Sequence, residues 1–165
     1  MKHTVSPFLL PDLFFAGRAV LTFNNVAKGT HMTVKVKQAR DKQDRKIKLP
    51  IFFVSISLLG DKEQGMVFAG TIFQTNGTYR LGRNIDQSSR IGRAMSFLTT
   101  AVKDPSILSQ HSVTFQHEGK CCSCGMPLTH PSSIPVGFGP SCLKSKMQDA
   151  DFATMFKLTF PDFKY

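Results

Sequence analysis

Residues 18–24, RAVLTFN, alternate apolar and polar positions with the period of a strand that buries one face. NVAKG then turns the chain, and the alternation resumes more cleanly in 31–38, HMTVKVKQ. There Met32, Val34 and Val36 share one side, and Thr33, Lys35 and Lys37 the other. A polar connection, ARDKQDRKIKLP, leads to 51–59, IFFVSISLL. This β-branched and aromatic run between Pro50 and Gly60 predicts a central, buried strand. GDKEQG is read as a turn, and 66–75, MVFAGTIFQT, as the next strand, with Gly70 marking a bulge. Asn76–Gly77 is the strongest hairpin signal and joins it to 78–83, TYRLGR.

The period changes after residue 85. Ile91, Ala94, Met95, Leu98, Ala101 and Val102 recur at three- and four-residue steps, which predicts one amphipathic helix. Asp86 or Ser88 is the expected cap and Pro105 the stop, with Arg90 and Arg93 on the polar face. SVTFQHEG alternates again as a last strand. Short strands joined by hairpins, without a βαβ alternation, predict an α+β fold. The expectation is a curled antiparallel sheet of about six strands, as far as a partly open barrel, with one main helix and a C-terminal zinc knuckle. The organisation expected is a sheet-plus-helix domain over 1–116, the knuckle over 117–146 and an aromatic segment over 147–165. That last segment holds too many aromatic residues for a free tail and is expected to dock on the core or on a partner.

Composition changes the picture in one respect. Twenty-one Lys and Arg face eleven Asp and Glu, a net charge of +10, which favours polyanionic partners. Apolar and charged content are otherwise ordinary. No stretch approaches the roughly 18 consecutive apolar residues of a membrane span. The N-terminal MKHTVSPFLLPDLFF is broken by prolines and is read as an ordered arm rather than a signal peptide, which makes the expected location intracellular.

The candidate chemistry lies in HEGKCCSCGMPLTHPSSIPVGFGPSC, residues 117–142, which holds all four cysteines. Cys121 and Cys124 form a C-x2-C pair, whose thiolates can reach one tetrahedral ion from a tight turn, and Gly125 supplies the permissive backbone. Cys142 is the third ligand. The fourth falls among His117, His130 and Cys122. His117 leads, because a strand-to-knuckle junction can aim its ring at the metal; Cys122 is last, because adjacent side chains diverge in such a turn. A disulfide does not suit an intracellular chain, and a thioredoxin-like pair would need a helix start in a βαβ unit. A catalytic zinc needs an open position and a general base. Glu118, the acid of the segment, directly follows His117 and does not fit the H-x-E deaminase pattern. The expectation is one structural zinc on His117, Cys121, Cys124 and Cys142.

Gly119, Lys120, Cys121, Cys124, Gly125, Leu128, Ser133, Ile134, Gly137, Gly139, Pro140 and Cys142 fit the pattern G-[KR]-C-x-x-C-G-x-x-L, then S-I and G-x-G-P-x-C. In this the segment resembles an uncharacterised zinc-knuckle family of phage and bacterial proteins, over about 24 residues. The resemblance implies zinc binding, an upstream His-x3-Cys such as His117–Cys121, and a mobile-element origin, hence the bacterial cytoplasm. It implies no activity. His130 and Cys122 fall where the pattern is free.

Eight basic residues lie between 28 and 48: Lys28, Lys35, Lys37, Arg40, Lys42, Arg45, Lys46 and Lys48, against Asp41 and Asp44. Arg80, Arg83, Arg90 and Arg93 offer a second patch. A basic hairpin of this kind can track a phosphate backbone. No helix-turn-helix, RNP motif or finger with a reading helix accompanies it, so contacts of weak sequence specificity are expected. Phosphate loops, nucleophile elbows and paired carboxylates are absent from the sequence, and an enzyme is not expected. The leading expectation is a zinc-stabilised protein that binds DNA or RNA, with no membrane or small-molecule partner. The alternative is an interaction module that inhibits or redirects a host protein through its aromatic tail and knuckle.

Overall fold

The computed structural model describes residues 3–58 and 65–164. The end of the strand expected over 51–59 and most of the turn expected over 60–65 lie outside the described residues. Strands β1 (His3–Thr4), β2 (Arg18–Asn25), β3 (Thr30–Arg40), β4 (Lys48–Ser57), β5 (Val67–Phe73), β6 (Thr78–Leu81) and β7 (Val113–His117) form one sheet in the order β1-β7-β2-β3-β4-β5-β6. Every neighbouring pair is antiparallel. The six strands expected are present, and β1 adds a short edge. The edge strands β1 and β6 do not pair with one another, so the sheet is open rather than a closed barrel.

The alternation in β3 shows why the chain folds this way. Val34 and Val36 are buried while Lys35 and Lys37 are exposed. Val34 stands opposite Leu21 and Ile56, and Val36 opposite Ala19 and Val54. These pairs share the face on which the helices pack. There the N-terminal arm contributes a 3-10 turn, Pro7–Leu9, and α1 (Leu10–Phe14), with Leu9, Leu10, Leu13 and Phe14 wholly buried. The long helix α2 (Arg90–Lys103) buries Met95, Leu98, Ala101 and Val102 on the same side, and α3 (Ile107–Gln110) leads into β7.

The cap of α2 is a correction. Ser89, not Asp86 or Ser88, accepts the Gly92 N–H at 3.1 Å. Asp86 instead builds the preceding turn, accepting the Ser88 N–H at 2.7 Å, while its carbonyl accepts the Ser89 hydroxyl. Gly92 packs so tightly on this turn that a Cβ there would stand 2.2 Å from the Asp86 carbonyl oxygen.

Gly70 does sit at a bulge. The β4–β5 register runs Phe53↔Thr71 and Val54↔Gly70, then slips to Ser55↔Phe68. Ala69 and Gly70 are both buried as a result, and Phe68 is turned to the open face of the sheet. Without the slip Phe68 would oppose Ile56 on the core side.

Beyond β7 follow α4 (Pro140–Lys146) and α5 (Ala150–Thr159). Asp149 caps α5, accepting the Phe152 N–H at 2.8 Å. Phe138, Phe152 and Phe156 form an aromatic run, with centroids 6.2 and 5.6 Å apart, against which Phe160 and Phe163 pack at 4.9 and 5.1 Å from Phe156. Phe152 and Phe156 belong to the same core as Leu13 and Phe115. Phe156→Ala is therefore expected to destabilise the whole chain by about 3–5 kcal/mol. Urea unfolding followed by circular dichroism should show one transition shifted to lower urea. An unchanged midpoint would mean that the segment after residue 147 is an independent tail.

Candidate metal centre and basic surface

The turn after β7 is built to present sulfur. Cys121 N–H donates to the Met126 carbonyl at 2.8 Å and Leu128 N–H to the Gly119 carbonyl at 2.8 Å, closing a narrow loop. Inside it Gly125, at φ +79°, donates to the Cys121 carbonyl at 2.8 Å. The positive φ is why glycine stands directly after Cys124. Cys142 arrives from the other side, in the first turn of α4 behind Gly139 and Pro140. The sulfur atoms of Cys121, Cys124 and Cys142 lie within 4.8 Å of one another, and all three thiols are free. Thiolates on one tetrahedral zinc, with bonds of about 2.3 Å, stand about 3.8 Å apart, so the donor set fits a thiophilic metal ion.

The electrostatics agree. Burial opposes ionisation of Cys121, but the N–H groups of Gly139, Cys124 and Ser123 aimed at its sulfur outweigh it and hold the thiol below its ordinary value. Burial and the neighbouring Cys121 charge push Cys142 up to about 11. Three thiols this close resist joint ionisation unless a cation sits among them. Cys122 is separate: it is buried in the core, where burial raises its thiol further. Its backbone ties the loop down, the N–H to the Gly137 carbonyl at 3.0 Å and the carbonyl to the Arg18 N–H at 2.8 Å.

His117 is not brought to the cluster. It lies on the core face of β7 with Val113 and Phe115, wholly buried. Its Nδ1 accepts the Gly119 N–H at 2.9 Å, which leaves Nε2 to donate to the Ile134 carbonyl at 2.6 Å. Both ring nitrogens are spent on holding the loop, because the strand's alternation commits the ring to the inside before the turn begins. His130 is exposed and hydrogen-bonded to Ser132. Glu118 accepts from the Thr22 hydroxyl at 2.7 Å. Among the described residues three cysteine sulfurs that could hold a metal ion converge, rather than the four ligands expected. Cys124 and Cys142 border a pocket of about 460 Å³ that Arg18, Arg40, Lys48 and three serines also line.

The structure sorts the basic residues into groups. Lys37, Arg40, Lys42, Arg45, Arg80 and Arg83 line one groove of about 1160 Å³ on the open face of the sheet, with Asp41 as its acid. The Asp41 carboxylate accepts the N–H groups of Gln43 and Asp44, at 2.9 and 3.0 Å, and so shapes the β3–β4 turn. Lys46 is exposed in that turn, its N–H donating to Asp44 at 3.0 Å. Lys35 and Lys37 line an adjoining cleft with Arg18 and Lys120, and Lys48 faces the cysteine pocket. Lys28, Arg90 and Arg93 lie elsewhere, around a pocket of about 350 Å³ between α2 and the β2–β3 hairpin.

Sequence reasoning missed Arg18, which has no charged neighbours along the chain yet borders both the cleft and the cysteine pocket. It also missed Phe53 and Phe68, exposed to 42% and 49% within the groove. Strict alternation against Phe52 and Val54 could have found Phe53; only the bulge reveals Phe68.

A family model described as a family of unknown function (DUF6011) matches residues 113–145, the stretch from β7 through Cys142 into α4. No curated protein and no solved structure matches the chain. Among the described residues, no helix is long and apolar enough to cross a membrane.

Elemental analysis of freshly purified protein should find about one equivalent of a divalent metal per chain, as a three-thiolate centre requires. Cys142→Ser should lose it, whereas Cys122→Ser and His117→Gln should keep it. Loss of metal in His117→Gln with the fold intact would return that ring to the ligand set.

Proposed function

We propose that the protein is a nucleic-acid-binding protein stabilised by a structural zinc ion, and that its contact surface is the groove on the open face of the sheet. One observation carries this reading: six cations from two separate stretches of sequence, Lys37–Arg45 and Arg80–Arg83, converge on a single groove that holds one acid. Charges placed for solubility alone need not converge, whereas a polyanion demands that they do. The cysteine loop stands beside this surface. Arg40 borders both the groove and the cysteine pocket, so the metal-held loop abuts the cationic wall. The tail-mediated interaction module is less well supported, because Phe152 and Phe156 are packed in the core.

The groove carries no element that enters a duplex groove to read base edges, so phosphate contacts dominate and sequence preference is weak. Fluorescence anisotropy with labelled oligonucleotides should show affinity falling roughly a thousand-fold as salt rises from about 50 to 200 mM, the response to about six phosphate contacts. Lys37→Glu with Arg80→Glu should abolish binding. Arg90→Glu with Arg93→Glu, on the other pocket, should change it less than about two-fold. No binding at low salt, or equal effects of the two pairs, would overturn the assignment.

A further inference from the structure

We infer that the groove takes single-stranded nucleic acid, with bases stacked on Phe53 and Phe68 and phosphates held by the flanking cations. This rests on nucleic-acid binding by the groove and names the form of ligand.

The register of the sheet sets out one row across its open face: Lys37 on β3, Phe53 on β4, Thr71 on β5 and Arg80 on β6. The row spans three interstrand steps, about 14 Å at the usual spacing. Cations stand at its two ends, with an aromatic ring and a small side chain between. Phe68 comes beside Phe53 through the bulge, with ring centroids 6.4 Å apart and planes inclined at 57°. Phe73 closes the far side, with the Arg80 guanidinium 5.7 Å from its ring centroid. All of these residues line the same groove.

Two features select the occupant. The first is the combination of positive charge with exposed aromatic faces. A duplex offers phosphates but keeps its base faces stacked inside, so it would use the cations and leave Phe53 and Phe68 wet. An acidic peptide offers planar faces only at whatever aromatic residues it carries, not on every unit of the chain. A single strand presents both chemistries along one chain, and stacking on aromatic side chains tolerates any base. The second is the placement of Phe68. The register slip takes it away from the core and faces it toward Phe53, a device that a merely solvated surface does not require. DNA and RNA single strands share this chemistry.

The test uses the full metal-loaded chain and anisotropy at low, fixed salt. The probes are labelled oligo-dT, oligo-rU, a duplex of equal length, and an oligo-dT with several central abasic sites. Oligo-dT or oligo-rU should bind at least ten-fold more tightly than the duplex, and whichever is tighter identifies the sugar preferred. Phe53→Ala and Phe68→Ala should each weaken single-strand binding by roughly 5- to 100-fold, the range for loss of one stacked base, with the salt slope unchanged. They should leave duplex binding alone. Phe53→Trp should retain affinity, and the abasic strand should bind wild type no better than the Phe variants bind oligo-dT. Both rings are exposed, so thermal melting should confirm that the variants fold. Duplex binding as tight as single-strand binding, or Phe variants that match wild type, would overturn this inference while leaving nucleic-acid binding intact. Failure of every probe to bind would remove both.

Discussion

Exclusion of apolar side chains from water drives Leu21, Phe23, Val34, Val36, Phe52, Val54, Ile56 and Phe115 to one face of the sheet. Helices α1 and α2 cover that face, and the groove on the opposite face stays open. Because strand side chains alternate, each buried valine of β3 commits the lysine beside it to the open face. The basic surface is therefore an output of core formation as much as of charge, and cations far apart in sequence meet because their strands pair.

The cysteine centre solves a different problem. The loop from Glu118 to Gly139 contains no helix or named strand and holds few core residues, among them Cys122, Val136 and Phe138. A loop of this kind cannot offset its conformational entropy with buried area alone. The His117 ring bonded at both nitrogens and the Cys122 backbone tied to Gly137 and Arg18 supply part of what burial does not, and the three clustered sulfurs offer a metal ion a place to supply more. His117 thus serves as a brace for the loop, its two ring nitrogens bonded to Gly119 and Ile134.

The sequence made the strands, the main helix and the C-x2-C loop legible, because each has a local signature: period two, period 3.6, or cysteine spacing. Asn76–Gly77 announced its hairpin for the same reason, with Gly77 at φ +67°. What stayed hidden depends on pairing between distant segments. The ring of His117 looked available because it stands four residues before Cys121, yet the face it occupies is fixed by Leu21 across the sheet. Arg18 was unremarkable until β2 placed it against the loop. The division of the basic residues between two pockets likewise follows from strand order, which charge clustering along the chain does not encode. The fold of the tail was half legible: its aromatic density predicted docking, but not that its rings would continue from Phe138.

The extra residue in β5 is where stability and use pull apart. A regular β5 would return a phenylalanine to the interior and restore the interrupted ladder, both gains for the folded state. Pairing β5 with β4 without the slip would therefore favour a tougher molecule whose outer surface had lost its second ring. For a groove that stacks bases on both rings, consensus-style stabilisation of this strand would erode function without touching a single charge. Drift toward a regular strand would then be opposed by selection for binding rather than for folding.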